Sequence, residues 1–358
     1  MFGSAIGKLS STRSFGRRGA TGLVGAALLG LLFAPAPAPA AEVDGPEVFW
    51  KLSTWGNSRA MTRGVEFVSE QLKEKTDGKF VLRIFYGEQL SKAKENLDGL
   101  KANAFEMAMF CNFYHPGKNP ALMVMTMPFL PVTDFDDALR VRRGLYEDPI
   151  LVEEMAQWNA MYYDTSNLPQ YEFLGRGEPP MKLEQWDGLR VRAGGGIGLA
   201  MEKLGAIRQS MPAPEVYTAL QRGTVDAASF PYTYSHASYK IDEVADWFTS
   251  NLSPGTSDCP IVINKTAYAA LPEQYQDLLW SLRDDMAEVY REAYASSDAV
   301  NLPRFREEMT EIVYDEETRA AFRKLAGEPV WNEWVEQNKA DFDAQEVLDR
   351  AISLATGE

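Results

Sequence analysis

An arginine at the tip of a strand is the residue of this sequence best placed to do chemistry. Arg192 closes the run Gly188-Leu189-Arg190-Val191-Arg192, and Ala193, Gly194, Gly195 and Gly196 follow it. The β-type neighbours Val191 and Ala193 put the guanidinium where a strand ends and bare backbone begins. In an open α/β sheet, ligands bind beyond the carboxyl ends of the strands. A guanidinium there stays charged at physiological pH and offers a planar fork that matches a carboxylate. Spacing alone leaves two partners open, the carboxylate of a ligand or an internal Asp or Glu.

Other candidates stand at the ends of other β-type runs. Trp55 follows the first, Asn112, Phe113 and Tyr114 follow a third, and Phe230, Tyr232 and Tyr234 close a later one. Each suits a cleft, a core or a surface equally well. With only His115 and His236, the chain offers no His/Cys cluster for zinc and no histidine-centred catalytic set. The glycines at 194–198 do not fit the spacing of a dinucleotide site. Cys111 and Cys259 can pair in an exported protein, but nothing in their spacing requires it, and each sits in an apolar run. We read them as two free buried thiols.

The elements that position these residues begin after a leader. Lys8, Arg13, Arg17 and Arg18 precede the apolar run Thr21 to Phe33, and Ala38-Pro39-Ala40 offers a small-residue cleavage site. That run is shorter than the roughly 20 apolar residues a membrane span needs, so residues 1–40 read as a cleaved signal peptide. The formal net charge of the whole chain is −15, and removing the four basic residues of the leader takes it to −19. Nucleic acid and anionic membrane surfaces are excluded as partners by this charge. An anionic small ligand needs a local positive group to overcome it, which is what Arg192 supplies.

VFWKLSTW at 48–55 is a strand by alternation, Ser58 starts a helix to about Lys73, and Phe80 to Tyr86 is a second strand. Ser91 starts a helix to Ala102, and Phe105 to Phe110 is a third strand, giving the β-α-β-α-β pattern of a sheet with parallel pairs. ENLDGLKANAFEMAMF at 95–110 aligns without a gap on EVYTALQRGTVDAASF at 215–230, with Glu95/Glu215, Leu100/Leu220, Ala108/Ala228 and Phe110/Phe230 identical. Two lobes built on one plan follow from this, each sending a helix into a strand whose carboxyl end faces a shared cleft. The apolar run at 119–131 is a buried crossing segment, Asp134 caps the next helix, and the β-type runs Met161 to Ser166 and Cys259 to Asn264 serve as a hinge. Pro272 starts a long helix to about Val300. From Pro303 onward the chain is helical and charged, with Trp331, Trp334, Phe342, Val347 and Leu348 as an apolar face for a brace or a homodimer contact.

With both lobes placed, the chain resembles the periplasmic solute-binding subunits of tripartite ATP-independent periplasmic (TRAP) transporters. GLRVR at 188–192 followed by EVYTALQRGTVDAA at 215–228 carries the resemblance, supported by MPFLP at 127–131 and PIVINKTAYAALPEQYQ at 260–276. The fold it implies is α/β, a two-lobed periplasmic-binding-protein clamshell with mixed sheets, hinge strands and a long connecting helix. Lobe I is then 41–165 plus about 260–300, lobe II is 166–259, and 301–358 is a C-terminal helical segment. The family's carboxylate-binding arginine falls on Arg192. FYHPGKNPA at 113–121 and the glycine turn are most similar to the branch that binds 2-oxo acids, whose glutamine and aromatic pocket residues fall on Gln170 and Phe230. Two positions depart from the family. Ser229 stands where that branch holds a cation with glutamate, and Glu172 lies near the place of a second arginine in sialic acid binders.

The resemblance implies a periplasmic protein with no cofactor, no metal and no catalytic residue, handing a small organic acid anion to TRAP membrane subunits. Arg192 would hold the carboxylate, Gln170 and Asn112 the polar end, and Phe230 and Trp55 the carbon skeleton, with Phe113 and Tyr232 beside them. The aromatic lining implies a monocarboxylate, a keto or aromatic acid. An exported enzyme on the same scaffold and a ligand-sensing module are the rival readings. Turnover of a bound acid would mark the enzyme.

Overall fold

The computed structural model describes residues 42–132 and 134–357; the leader at 1–40 lies outside the described residues. Eleven strands form two mixed sheets among these residues. They are β1 (Val48–Ser53), β2 (Phe80–Phe85), β3 (Met107–Met109), β4 (Ala160–Thr165), β5 (Tyr171–Gly175), β6 (Arg190–Arg192), β7 (Ile207–Gln209), β8 (Ala227–Pro231), β9 (Trp247–Thr249), β10 (Pro260–Asn264) and β11 (Thr310–Ile312). The first sheet runs β2-β1-β3-β10-β4 and the second β11-β9-β5-β8-β6-β7.

The repeated segments occupy equivalent places in the two sheets. The helix Asn96–Lys101 leads into β3, which lies parallel to β1, and the helix Ala213–Gln221 leads into β8, which lies parallel to β6. Parallel neighbours need a crossover, and a helix supplies it while covering a sheet face. β10 then returns to the first sheet, antiparallel to both β3 and β4.

Besides the long helical connection from β10 to β11, two short segments cross between the sheets, 166–170 after β4 and 250–259 before β10. Arg142, on the helix Phe135–Leu145 that Asp134 caps through the Asp137 amide, gathers both. Its Nη2 donates to the Leu168 carbonyl at 3.2 Å, the Thr256 hydroxyl at 3.2 Å and the Ser257 carbonyl at 3.1 Å, and its Nη1 donates to the Asn167 side chain. Its Nε stands 3.4 Å from Asp258 Oδ1, both side chains having no solvent exposure. A buried charge pair holds its place only when further hydrogen bonds satisfy it, and Thr165 and Tyr146 complete the shell of Asp258.

Several expected boundaries move. Ser58 and Ser91 do not cap helices: Ser58 donates to Glu66 Oε1 at 2.7 Å, and the helices begin at Arg63 and Asn96. The long helix after Pro272 breaks at Leu282 into Glu273–Ser281 and Arg283–Glu308. The region from 301 is not helical throughout, because Thr310–Ile312 forms β11 and pairs in parallel with β9. The following helices pack on both sheets' sides. Trp331 Nε1 donates to the Pro128 carbonyl at 2.7 Å, Lys203 pairs with Glu333, and Arg140 Nε donates to the Leu354 carbonyl at 2.9 Å. Among the described residues no helix is long and apolar enough to cross a membrane.

Cys111 and Cys259 form a disulfide, which corrects the reading as free thiols. The register decides it. Ile261 lies opposite Met109 in the antiparallel pair β10 and β3, so two residues further along Cys259 comes opposite Cys111. Nothing local in either segment encodes that meeting.

Candidate binding cavity

β6 delivers Arg192 into a cavity between the two sheets. Arg190, at the strand's start, is held by Asp226 through its Nε at 2.9 Å and the Asp226 contact with its backbone amide at 2.8 Å. Arg192, at the strand's end, is 1% exposed and has no such partner. Its Nε and Nη2 donate to the Met211 carbonyl at 3.1 and 3.0 Å, and its Nη1 donates to the Ser229 carbonyl at 2.7 Å. A guanidinium carries five N–H donors; these carbonyls take three contacts, and the Tyr114 hydroxyl lies beside the donors of the terminal nitrogens that remain. That is the fork a carboxylate fits. No carboxylate lies within ion-pair distance of it among the described residues, which removes the internal Asp or Glu as its partner.

Aromatic rings sheath the charge. The Arg192 Cζ lies 4.5 Å from the centroid of the Phe230 ring and 5.4 Å from that of Phe113. Desolvated cation–π contacts of this kind contribute about 2 kcal/mol. The wall continues through Trp55, Tyr114, Tyr171, Tyr234 and Tyr239, and the Cys111–Cys259 disulfide forms part of it. The cavity has a volume of about 20 Å³, room for about one water molecule. Any organic ligand must part the walls to enter, and a small one parts them least. By contrast, the wide surface groove at Glu147, Asp148, Asp343, Glu346 and Asp349 is acidic and repels anions.

The structure brings Arg192, Phe230, Trp55 and Phe113 together around this space and directs three other predicted residues elsewhere. Asn112 is buried, but its Nδ2 donates to the Leu122 carbonyl at 3.1 Å and its Oδ1 accepts from the Phe113 amide at 2.8 Å. It fixes the loop that carries Phe113. Gln170 lines a separate surface groove with Met127, Gly255, Arg319 and Arg323. Successive residues of an extended chain point to opposite faces, and the next residue, Tyr171, is the one that faces the cavity. Tyr232 packs against the smaller core cluster beside Phe230 and Ile241, one step past the lining residue Pro231.

Sequence reasoning missed Arg59, Tyr171 and Tyr239, and named Tyr114 and Tyr234 only as neighbours of stronger candidates. Arg59 had no signal, standing in a polar turn before a helix. Tyr171 had one, the parity of its strand. Tyr114 also positions a neighbour, its hydroxyl accepting from the Ala213 amide at 2.8 Å where a helix starts.

The two family departures have structural explanations. Ser229 Oγ donates to the Arg192 carbonyl at 3.2 Å, tying β8 to β6. Glu172 is turned away from the cavity and buried, accepting from the amides of Leu252 at 3.2 Å and Ser253 at 2.9 Å and from the Thr249 and Ser253 hydroxyls. Burial raises its carboxyl above the ordinary range against the pull of those donors. Arg176 points away as well, donating to the carbonyls of Leu220 and Gln221.

The glycine turn is a contact between the two sides of the cavity. A Cβ on Gly194 would lie 2.2 Å from the Phe113 ring, and one on Gly196 would lie 2.4 Å from the Thr126 carbonyl oxygen. Gly195 has φ +53°, in the left-handed region that glycine adopts freely. The Gly196 amide donates to Thr126 Oγ1 at 2.9 Å.

A cavity between two α/β sheets, sheathed in aromatics around a buried guanidinium, is a site suited to a solute-binding protein. The chain matches bacterial extracellular solute-binding protein, family 7, over residues 53–338 and belongs to that family. It is 26% identical over 290 residues to the monocarboxylate 2-oxoacid-binding periplasmic protein of a Nostoc species, covering 78% of each chain. Among solved structures, a TRAP solute-binding protein from Rhodoferax ferrireducens in complex with copurified benzoate superposes with TM-score 0.77 at 19% identity, over 87% of this chain and 98% of that one. Another from Desulfovibrio salexigens, with bound orotic acid, gives TM-score 0.78 at 20% identity, over 87% and 99%.

Proposed function

We propose that this protein captures a small, flat organic acid anion in the periplasm and hands it to TRAP membrane subunits, with Arg192 holding the carboxylate. The observation that carries this is the guanidinium fork, buried in an aromatic cavity with no acid within ion-pair distance among the described residues. A buried charge without a counterion is unfavourable, and a ligand carboxylate relieves that cost while gaining two charge-assisted hydrogen bonds. A neutral analogue leaves the fork desolvated and unpaired, so charge itself gives the selectivity. Phe230, Phe113 and Trp55 pack the carbon skeleton. The protein of the Nostoc species, named for 2-oxo acids, and the benzoate complex both support an acid of this size.

The five-stranded sheet with residues 41–165 and about 260–300 acts as one lobe, and the six-stranded sheet with 166–259 and β11 acts as the other. Ligand contacts from both sides stabilise the closed state only as far as the ligand prefers it. The test is a thermal-shift screen of organic acids and their amides against the purified protein. Stabilisation by at least one acid and by none of the matched amides is expected; equal stabilisation by acid and amide would overturn the reading, as would turnover of the acid.

A further inference from the structure

Arg59 brings a second positive charge into the same cavity, from the opposite side. It lies between β1 and the helix Arg63–Lys75, is 7% exposed, and lines the space with Trp55 and Tyr239. Its Cζ lies 5.5 Å from the Trp55 ring centroid and 5.6 Å from that of Tyr239. Its Nη1 donates to the carbonyls of Trp55 at 2.8 Å and Asn57 at 2.7 Å, and its Nη2 faces Met61 Sδ at 3.7 Å. None of these partners carries a negative charge. Arg192 is anchored in the same manner, by carbonyl oxygens alone.

The charge of the lining is therefore positive twice over. Among the described residues no Asp or Glu lines the cavity, and the titratable groups there besides the arginines are tyrosines. The phenols do not compensate: burial pushes Tyr114, Tyr171 and Tyr234 above their ordinary value and Tyr239 up to about 12, so all stay neutral at physiological pH. Two like charges in a small dry space repel each other, and screening is weak where water is excluded. One carboxylate neutralises only one of them.

We propose that Arg59 is a second anion-recognition group, and that the ligand is a compact flat acid bearing a second anionic group that meets Arg59 while its first carboxylate meets Arg192. This goes beyond the monocarboxylate expected from the sequence and rests on the assignment of Arg192 above. Arg59 lies in the loop after β1 of one sheet and Arg192 ends β6 of the other, so a ligand with charge at both ends also ties the lobes together, which a one-headed acid does less well.

The test uses matched pairs that differ by one carboxylate: benzoate against phthalate, isophthalate and terephthalate, and butyrate against succinate, by calorimetric titration of the purified protein. In at least one pair the diacid is expected to bind about tenfold or more tighter than its monoacid. Arg59→Met is expected to weaken the diacid at least about tenfold more than the monoacid, with Arg59→Lys keeping part of the preference. Monoacids binding as tightly as every diacid partner would overturn the proposal and leave the organic-acid reading standing, as would equal losses for both in Arg59→Met. Binding of none of these acids, nor of any in the wider screen, would remove the organic-acid reading itself.

Discussion

The guanidinium carbon of Arg192 stands 4.5 Å from the centroid of the Phe230 ring, and the peptide before that ring takes one of its hydrogen bonds through the Ser229 carbonyl. β8 thus supplies both the anchor and the apolar cover of a charge carried by its parallel neighbour β6. The arrangement holds the fork rigid before any ligand arrives, and preorganisation of this kind reduces the cost of binding.

Arg192→Ala is expected to weaken the best-binding acid at least about 100-fold, the loss of a buried charge-assisted pair of roughly 3 kcal/mol or more. The ligand-free melting temperature should stay near that of the parent, because removing a buried charge unpaired among the described residues offsets the loss of its carbonyl and ring contacts. Calorimetric titration with parallel thermal melts checks it, and an unchanged affinity would count against the role.

Gly196→Ala tests closure. The new Cβ would press on the Thr126 carbonyl oxygen at 2.4 Å and on the Met127 Cα at 3.0 Å, and backbone cannot swing aside as a side chain can. Affinity for the same acid should fall about tenfold or more, and small-angle scattering should lose the compaction that the ligand produces in the parent. A variant that compacts and binds like the parent would show that the turn is not a closure contact.

Replacing both Cys111 and Cys259 by alanine is expected to cost about 2–5 kcal/mol of folding stability, since the bridge closes a loop of 148 residues. Reductant should lower the melting temperature of the parent and leave that of the double variant unchanged. Melting curves insensitive to reductant in both would mean that the bridge is absent or irrelevant.

His115 sets an acid limit. Burial first, and the charge of Lys118 second, push its imidazole from 6.5 down to about 4, and its Nε2 stands 3.0 Å from the Ala93 carbonyl. The unfolded chain binds this proton more readily than the folded one between those values, so the contribution is full above pH 6.5 and is lost as pH falls toward 4. At pH 5 the loss is about 2 kcal/mol. Urea unfolding at pH 7 and pH 5 should show His115→Gln losing about that much less than the parent; identical losses would contradict the assignment.

Much of the architecture was legible in local patterns. The strand ending at Arg192, the helix-to-strand repeat at 95–110 and 215–230, and the cap at Asp134 all rest on spacing within a few residues. Arg192, Phe230, Trp55 and Phe113 converge on one cavity because each lies at or just past the end of a readable strand. Three other candidates are placed elsewhere. Gln170 is one residue away from the lining Tyr171, and a one-residue slip in an extended chain reverses the face a side chain presents; Tyr232 lies just past the end of β8, where alternation stops, and packs on the smaller core cluster. Asn112 sits in the right loop, but its amide is consumed by the backbone that shapes the loop.

The sequence by itself determined the two-sheet plan and the place of the strand-tip arginine, because hydrophobic period, turn residues and caps act over short distances. Tertiary structure alone decided that Cys259 meets Cys111, that Arg59 reaches the cavity, and that among the described residues no acid stands within ion-pair distance of Arg192. Those facts depend on strand register and on which side chains converge from segments far apart in the chain, and no local pattern carries that information.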